Sequence, residues 1–224
     1  MKITEVADEM RRLYEAEAEN YDLGHAIAVP PKTLDLYGEE IANDLGVAGT
    51  QKALDVGMGT GFLTGILLKS GYKVWGVDTS QRMVDVARAK YTSASFAKGD
   101  VEQDDIYEDG FFDLIISRQV VCHFLDPLSV FKRWYRWLGS GGRVAVIEVF
   151  WRRSDWTGSW SKFVDYLPLA CTETWASVSY LLQKAGFSIK AARLLDRVNE
   201  DEKQRSLSAT WKPKTRYIVV AQKT

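Results

Sequence analysis

The segment that most narrows what this chain can become is Ala53-Leu54-Asp55-Val56-Gly57-Met58-Gly59-Thr60-Gly61-Phe62-Leu63. An apolar run ends in alternating glycines and passes straight into a helical pattern, which reads as strand, tight turn and helix N-terminus. Glycines at such a turn let the backbone approach a ligand closely. The helix beyond them offers free N–H groups and a partial positive field. The spacing is Gly-x-Gly-x-Gly, whereas a dinucleotide binder needs Gly-x-Gly-x-x-Gly; Phe62 or Thr64 stands where its third glycine would fall. Downstream, Val74-Trp75-Gly76-Val77-Asp78 closes a second strand on an acid. A carboxylate at that spacing is placed to accept hydrogen bonds from both ribose hydroxyls. A nucleoside with no pyrophosphate matches this combination.

Around this segment the pattern alternates strands with amphipathic helices, which predicts an α/β fold: a Rossmann-like three-layer sandwich on a mostly parallel seven-stranded sheet. Helices are expected over Ile3–Glu19, Lys32–Leu45, Thr60–Ser70, Ser80–Lys90, Asp126–Leu138 and Glu173–Ala185. Asp126-Pro127 supplies a capping carboxylate with proline at the first helical position. Strands are expected over Lys52–Val56, Lys73–Val77, Ser95–Ala97, Phe112–Ser117, Arg143–Val149, Phe187–Leu194 and Thr215–Ala221, with Gly139–Gly142 as a turn. Asp196–Lys214 reads as a charged loop, and two strands without a helix between them imply that the last enters antiparallel. One domain spans residues 1–224: a helical cap (1–50), a core (51–149), an insertion (150–172) and a closing helix with strands (173–224).

Lys plus Arg total 29 against 30 for Asp plus Glu, a formal charge of −1. Phosphate neutralisation calls for a basic excess, so nucleic acid is not the expected partner. Cys122 and Cys171 lie far apart with no ligand spacing, and no metal site is expected. The acidic, polar amino terminus is unlike a signal peptide, and no apolar run approaches the roughly 20 residues that span a bilayer. The expectation is a cytoplasmic, unanchored chain, as monomer or homodimer.

The motifs together resemble the class I S-adenosylmethionine (AdoMet)-dependent methyltransferases, in particular the small-molecule enzymes related to ubiquinone biosynthesis. The match is strong over about residues 50–150 and architectural elsewhere. It implies that Leu54-Asp55-Val56-Gly57-Met58-Gly59-Thr60-Gly61 holds the methionine part of AdoMet, with Asp55, Gly57, Gly59 and Gly61 as cofactor residues. It assigns Asp78 to the ribose, and Thr79 and Met83 to the adenine. Asp100 of Lys98-Gly99-Asp100-Val101 would take the adenine amino group, and the Val101 N–H its ring. Ser117 or Arg118 would face the methionine through the backbone, and Tyr21 of the amino-terminal cap would reach the cofactor. Ser140 replaces the proline usual before the paired glycines, a minor departure.

Transfer from a sulfonium is an in-line displacement from an activated donor, so alignment and exclusion of water can supply much of the acceleration. S-adenosylhomocysteine would be the product. The Asn/Asp-Pro-Pro-aromatic signature of nucleobase amine methylation is absent, since Ser117-Arg118-Gln119-Val120 stands there. The two histidines, His25 and His123, are the candidate catalytic bases. In the insertion, Trp151, Trp156 and Trp160 are candidates for stacking on a partly apolar small-molecule acceptor, and Arg152 for pairing with its anion. Competing readings are an RNA or protein methyltransferase, a nicotinamide oxidoreductase, and a non-catalytic AdoMet-binding partner module.

Overall fold

The computed structural model describes residues 3–17, 31–46, 51–207 and 212–224. Elements follow in the order α1 (Ile3–Glu17), α2 (Pro31–Leu45), β1 (Lys52–Val56), α3 (Phe62–Lys69), β2 (Lys73–Asp78), α4 (Gln81–Lys90), β3 (Ser95–Lys98), β4 (Phe112–Arg118), α5 (Pro127–Trp137), β5 (Leu138–Val149), α6 (Ala176–Lys184), β6 (Phe187–Leu194), α7 (Asp196–Ser206) and β7 (Arg216–Lys223). Short 3-10 turns cover Val121–His123, Arg153–Asp155 and Gly158–Tyr166.

The sheet runs β3-β2-β1-β4-β5-β7-β6. Strands β1 to β5 are parallel, and β7 is antiparallel to both neighbours. The order reverses between β1 and β4, so the crevice outside their carboxyl ends is where such a sheet takes its ligand.

Period-two alternation builds both faces. Val144, Val146, Tyr217 and Val219 point to one side, against Trp134, Trp137, Val178 and Leu182 of α5 and α6. Ala145, Ile147, Ile218 and Val220 point to the other, against Ile41, Leu63, Leu67 and Val198 of α2, α3 and α7. A smaller cluster joins Val6 and Met10 of α1 to Trp156, Phe163 and Leu167 of the insertion. Local signals fix the helix ends. The Ser80 side chain accepts from the Met83 N–H at 3.2 Å. Asp126 caps α5 by accepting from the Ser129 N–H at 3.1 Å, with Pro127 at N1.

Beyond shifts of one or two residues at element ends, three features differ from the expectation. The charged stretch after Asp196 is a helix, α7, rather than a loop. Only Val198 and Glu202 of it are buried, so its apolar stripe is too thin to reveal a period. The glycines 139–142 belong to β5, whose register against β4 shifts between Phe112 and Leu114. The helix expected from Glu173 starts at Ala176.

Replacing Asp126 by Ala removes the α5 cap and is expected to lower unfolding free energy by about 1 kcal/mol at neutral pH in urea titrations. Its bonds to Ser129 hold the carboxyl below its ordinary value. The wild-type advantage is therefore present above the unfolded pKa and fades as pH falls through the folded one. A constant difference down to strong acid would contradict the capping role.

Candidate active site

The turn after β1 is held by backbone and carboxylate. Gly57 N–H donates to the Val77 carbonyl at 2.8 Å. Asp78, at the end of β2, accepts from Gly59 N–H at 2.9 Å through one oxygen and from Ser80 N–H at 2.9 Å through the other. Burial outweighs these bonds and raises the Asp78 carboxyl above its usual value. Gly61 has φ +92, and a Cβ there would meet the Tyr91 ring at 2.6 Å, so the turn has no room for a side chain.

These groups open on a cleft at the carboxyl ends of β1, β2 and β4. Of the residues expected from sequence, Gly57, Gly59, Asp78, Thr79, Met83, Asp100, Val101, Arg118 and His123 line it. Tyr21 and His25 lie outside the described residues. Asp55, Gly61 and Ser117 do not line the cleft. Asp55 lies beneath the turn and accepts from the Thr64 hydroxyl at 2.8 Å, tying β1 to α3. Burial pushes its carboxyl up to about 7. Ser117 is fully buried, and its Oγ has no hydrogen-bond partner among the described residues.

The insertion behaves differently from the expectation for its tryptophans. Trp151, Trp156, Trp160 and Arg152 are not among the cleft-lining residues. Trp156 donates to the Ala170 carbonyl at 2.6 Å, and Trp151 to Glu148 Oε2 at 3.2 Å. Arg152 is exposed, 3.9 Å from the exposed Glu173. The indoles bury their area against α1 and the back of His123 instead of against the cleft. In their place α1 supplies the wall through Ala7, Met10, Arg11 and Tyr14. Its sequence carried the signal: Val6 and Met10 face the insertion one helical turn apart, while Ala7, Arg11 and Tyr14 form the adjacent stripe.

His123 sits at the junction. Its ring makes edge contacts with Tyr14, Trp156 and Trp160 at centroid distances of 5.5, 5.2 and 5.2 Å. Cys122 Sγ lies 3.3 Å from its Nδ1. Enclosure drives its pKa down to about 4, against the opposing pull of the Gln119 carbonyl. The imidazole is therefore neutral at ordinary pH. Along the wall of the cleft, Arg11 reaches Asp100 Oδ2 at 3.1 Å. The Glu102 carboxylate accepts from the Asp126 N–H at 2.8 Å, and its pKa is pushed up to about 7 by burial. Arg11, Glu102 and Gln119 line the cleft without having been marked in the sequence. Gln119 has φ +55, a left-handed conformation that a non-glycine residue adopts only when its surroundings hold it there.

Behind His123 the buried Glu148 has no cation within ion-pair reach among the described residues; it accepts from Trp151 and, at 3.4 Å, from the Cys122 N–H. Burial pushes its pKa up to about 7. Such a carboxyl binds more protons folded than unfolded between its ordinary value and about 7, so the fold loses stability as pH rises through that window. Glu148→Gln is expected to narrow the gap in melting temperature between about pH 5.5 and about pH 8, by raising the value at the higher pH. An unchanged gap would show that Glu148 does not titrate in this window.

The Methyltransferase domain family model matches residues 54–146. A methyltransferase of Synechocystis is 28% identical over 193 residues, covering 80% of this chain and 89% of that protein. Phosphoethanolamine N-methyltransferase 3 of Arabidopsis thaliana is 30% identical over 189 residues, covering 80% of this chain but only 37% of that protein. Among solved structures, a SAM-dependent methyltransferase of Aquifex aeolicus superposes with a TM-score of 0.65 at 17% identity, covering 94% of this chain and 98% of that one, a likeness of fold. The glycine turn, the strand-end acid and the seven-stranded sheet agree with these matches: the chain is similar to methyltransferases in its core sequence and to AdoMet-dependent ones in its fold, which supports a class I AdoMet-dependent methyltransferase.

Proposed function

We propose that this enzyme moves a methyl group from AdoMet to an O, N or C atom of a small, partly apolar metabolite. The observation that carries the reading is a single cleft at the carboxyl ends of β1, β2 and β4. It brings Asp78, Asp100 and the glycine turn together with Met10, Tyr14, His123 and Phe124. The relation to a phosphoethanolamine N-methyltransferase supports a small acceptor, and the formal charge of −1 gives no basic excess for nucleic acid.

The residues present fit the cofactor. An ionised carboxylate has about four acceptor positions; Asp78 accepts from the Gly59 and Ser80 amides, one on each oxygen, and would turn its remaining capacity to the ribose hydroxyls. Asp100 would take the adenine amino group and Val101 N–H the ring, with Thr79 and Met83 beside it. Gly57 and the backbone of Ser117 and Arg118 would receive the amino-acid tail. Arg118 lines the cleft, and its Nε, buried without a partner among the described residues, marks that end as built for a polar group. When bound, the cofactor supplies a methyl group already activated by sulfonium charge.

The chain's own work is then alignment and exclusion of water. The Ala7, Met10 and Tyr14 stripe covers the cleft, and the ion pair from Arg11 to Asp100 fastens α1 across the adenine end. His123 is neutral and stands ready to accept an acceptor proton, but a base with so low a pKa takes protons weakly. Orientation therefore carries most of the rate.

Calorimetry is expected to show AdoMet binding and no NAD binding. Asp78→Asn should weaken AdoMet by roughly 1–3 kcal/mol, the cost of losing a charged acceptor; equal affinity of variant and wild type would remove Asp78 from the ribose role. With an acceptor in hand from a methyl-incorporation screen, the acid limb of kcat/KM due to His123 should fall near its pKa of about 4, and a His123-dependent limb near the ordinary histidine value would contradict its enclosure.

A further inference from the structure

The cleft presents two arginines, and they differ in what they touch. Arg11 is neutralised: it pairs with Asp8 at 2.8 Å and Asp100 at 3.1 Å. Arg118 makes no ion pair among the described residues. Its side chain leaves the end of β4 toward α2 and α3, where its guanidinium carbon lies 4.2 Å from the centre of the Phe62 ring and 5.6 Å from that of Tyr37. Its Nε is buried without a hydrogen-bond partner among the described residues. Stacking fixes the plane of the guanidinium but satisfies none of its N–H donors in that plane.

The surroundings sharpen the imbalance. Asp55 is the acid on which Arg118 exerts a direct electrostatic pull, yet that carboxyl accepts from Thr64 and burial pushes its pKa up to about 7, so it is a poor counter-ion. The neighbouring cation, Arg216, is already paired with Glu202. Arg118 adds repulsion there, one of the causes that lower the Arg216 pKa. The backbone at Arg118 cannot easily turn away. Arg118 is paired with Ile147 in the sheet, and the next residue, Gln119, donates to the Ile147 carbonyl at 2.8 Å in its left-handed conformation. A partly buried cation held rigid and without an anion is costly unless something supplies the missing charge. A planar fork of N–H groups is matched by a carboxylate.

We propose that Arg118 is the carboxylate anchor of the cleft, taking the carboxylate of a ligand laid across the glycine turn at the ends of β1 and β4. The assignment rests on the cofactor reading above and deepens it. A carboxylate can come from the amino-acid tail of the donor or from an acidic methyl acceptor, and both would meet the same guanidinium.

The test uses the full chain as wild type, Arg118→Met and Arg118→Lys, each confirmed folded by circular dichroism and thermal melting. S-adenosylhomocysteine, which has the carboxylate, and methylthioadenosine, which lacks the whole amino-acid tail, are titrated by calorimetry. Benzoate is titrated into protein saturated with S-adenosylhomocysteine. If the donor supplies the anion, Arg118→Met weakens S-adenosylhomocysteine by about 10- to 100-fold, the range for a hydrogen bond to a charged group, and leaves methylthioadenosine unchanged. Arg118→Lys falls between, because it keeps the charge and loses the fork. If the acceptor supplies it, both nucleosides bind all three proteins alike and benzoate binds the wild type but not Arg118→Met. Equal weakening of both nucleosides by Arg118→Met, or no change with any of the three probes, overturns the assignment. Wild-type protein that binds neither nucleoside overturns the cofactor reading itself, and the anchor with it.

Discussion

One carboxylate, that of Asp78, holds two backbone amides from different elements: Gly59 in the turn after β1 and Ser80 at the head of α4. That bridge sets the height of the glycine turn above β2, and Ser80 in turn caps α4 through Met83. Both oxygens are engaged but neither is saturated. The same group can therefore organise the turn and keep acceptor capacity toward the cleft. Burial raises its pKa even while the two amides lower it, which is the condition of a charge kept from water and held by dipoles rather than by a cation.

Acids in the cleft and behind it repeat that condition. Asp55, Glu102 and Glu148 are acids whose pKa burial lifts, each answered by hydroxyl, amide or indole donors. Arg118 is the opposite case, a cation answered among the described residues by aromatic rings and by no ion pair. A site wall of this kind stores its polarity in fixed directions, so a ligand meets oriented groups that need little rearrangement. The sheet makes this possible. Its order reverses between β1 and β4, so the chain leaves the crevice in both directions and only short turns fill it.

The cap over the crevice comes from two distant parts of the chain. Helix α1 and the insertion after β5 share one apolar cluster, with Val6 and Met10 meeting Trp156, Phe163 and Leu167. Lys162 and Glu9 add an ion pair across the same contact. Because the insertion spends its indoles on this seam, the helix, and not the tryptophan-rich segment, faces the cleft.

What the sequence determined by itself were the features with local causes. The Gly-x-Gly-x-Gly turn, Asp78 at a strand end, the caps at Ser80 and Asp126, and the alternating apolar strands all act within a few residues, and each holds in the structure. Charge patterning hid α7, whose stability comes from a thin contact with α2 and the sheet and not from an apolar stripe. Only the tertiary structure decided which aromatic residues wall the cleft, why Asp55 lies under the turn rather than in it, and which arginine stands without an acid. Those outcomes depend on which distant surfaces meet, since burial and pairing are properties of a neighbourhood, and a neighbourhood assembled from α1, α3, β4 and the insertion has no spacing in the chain that could announce it.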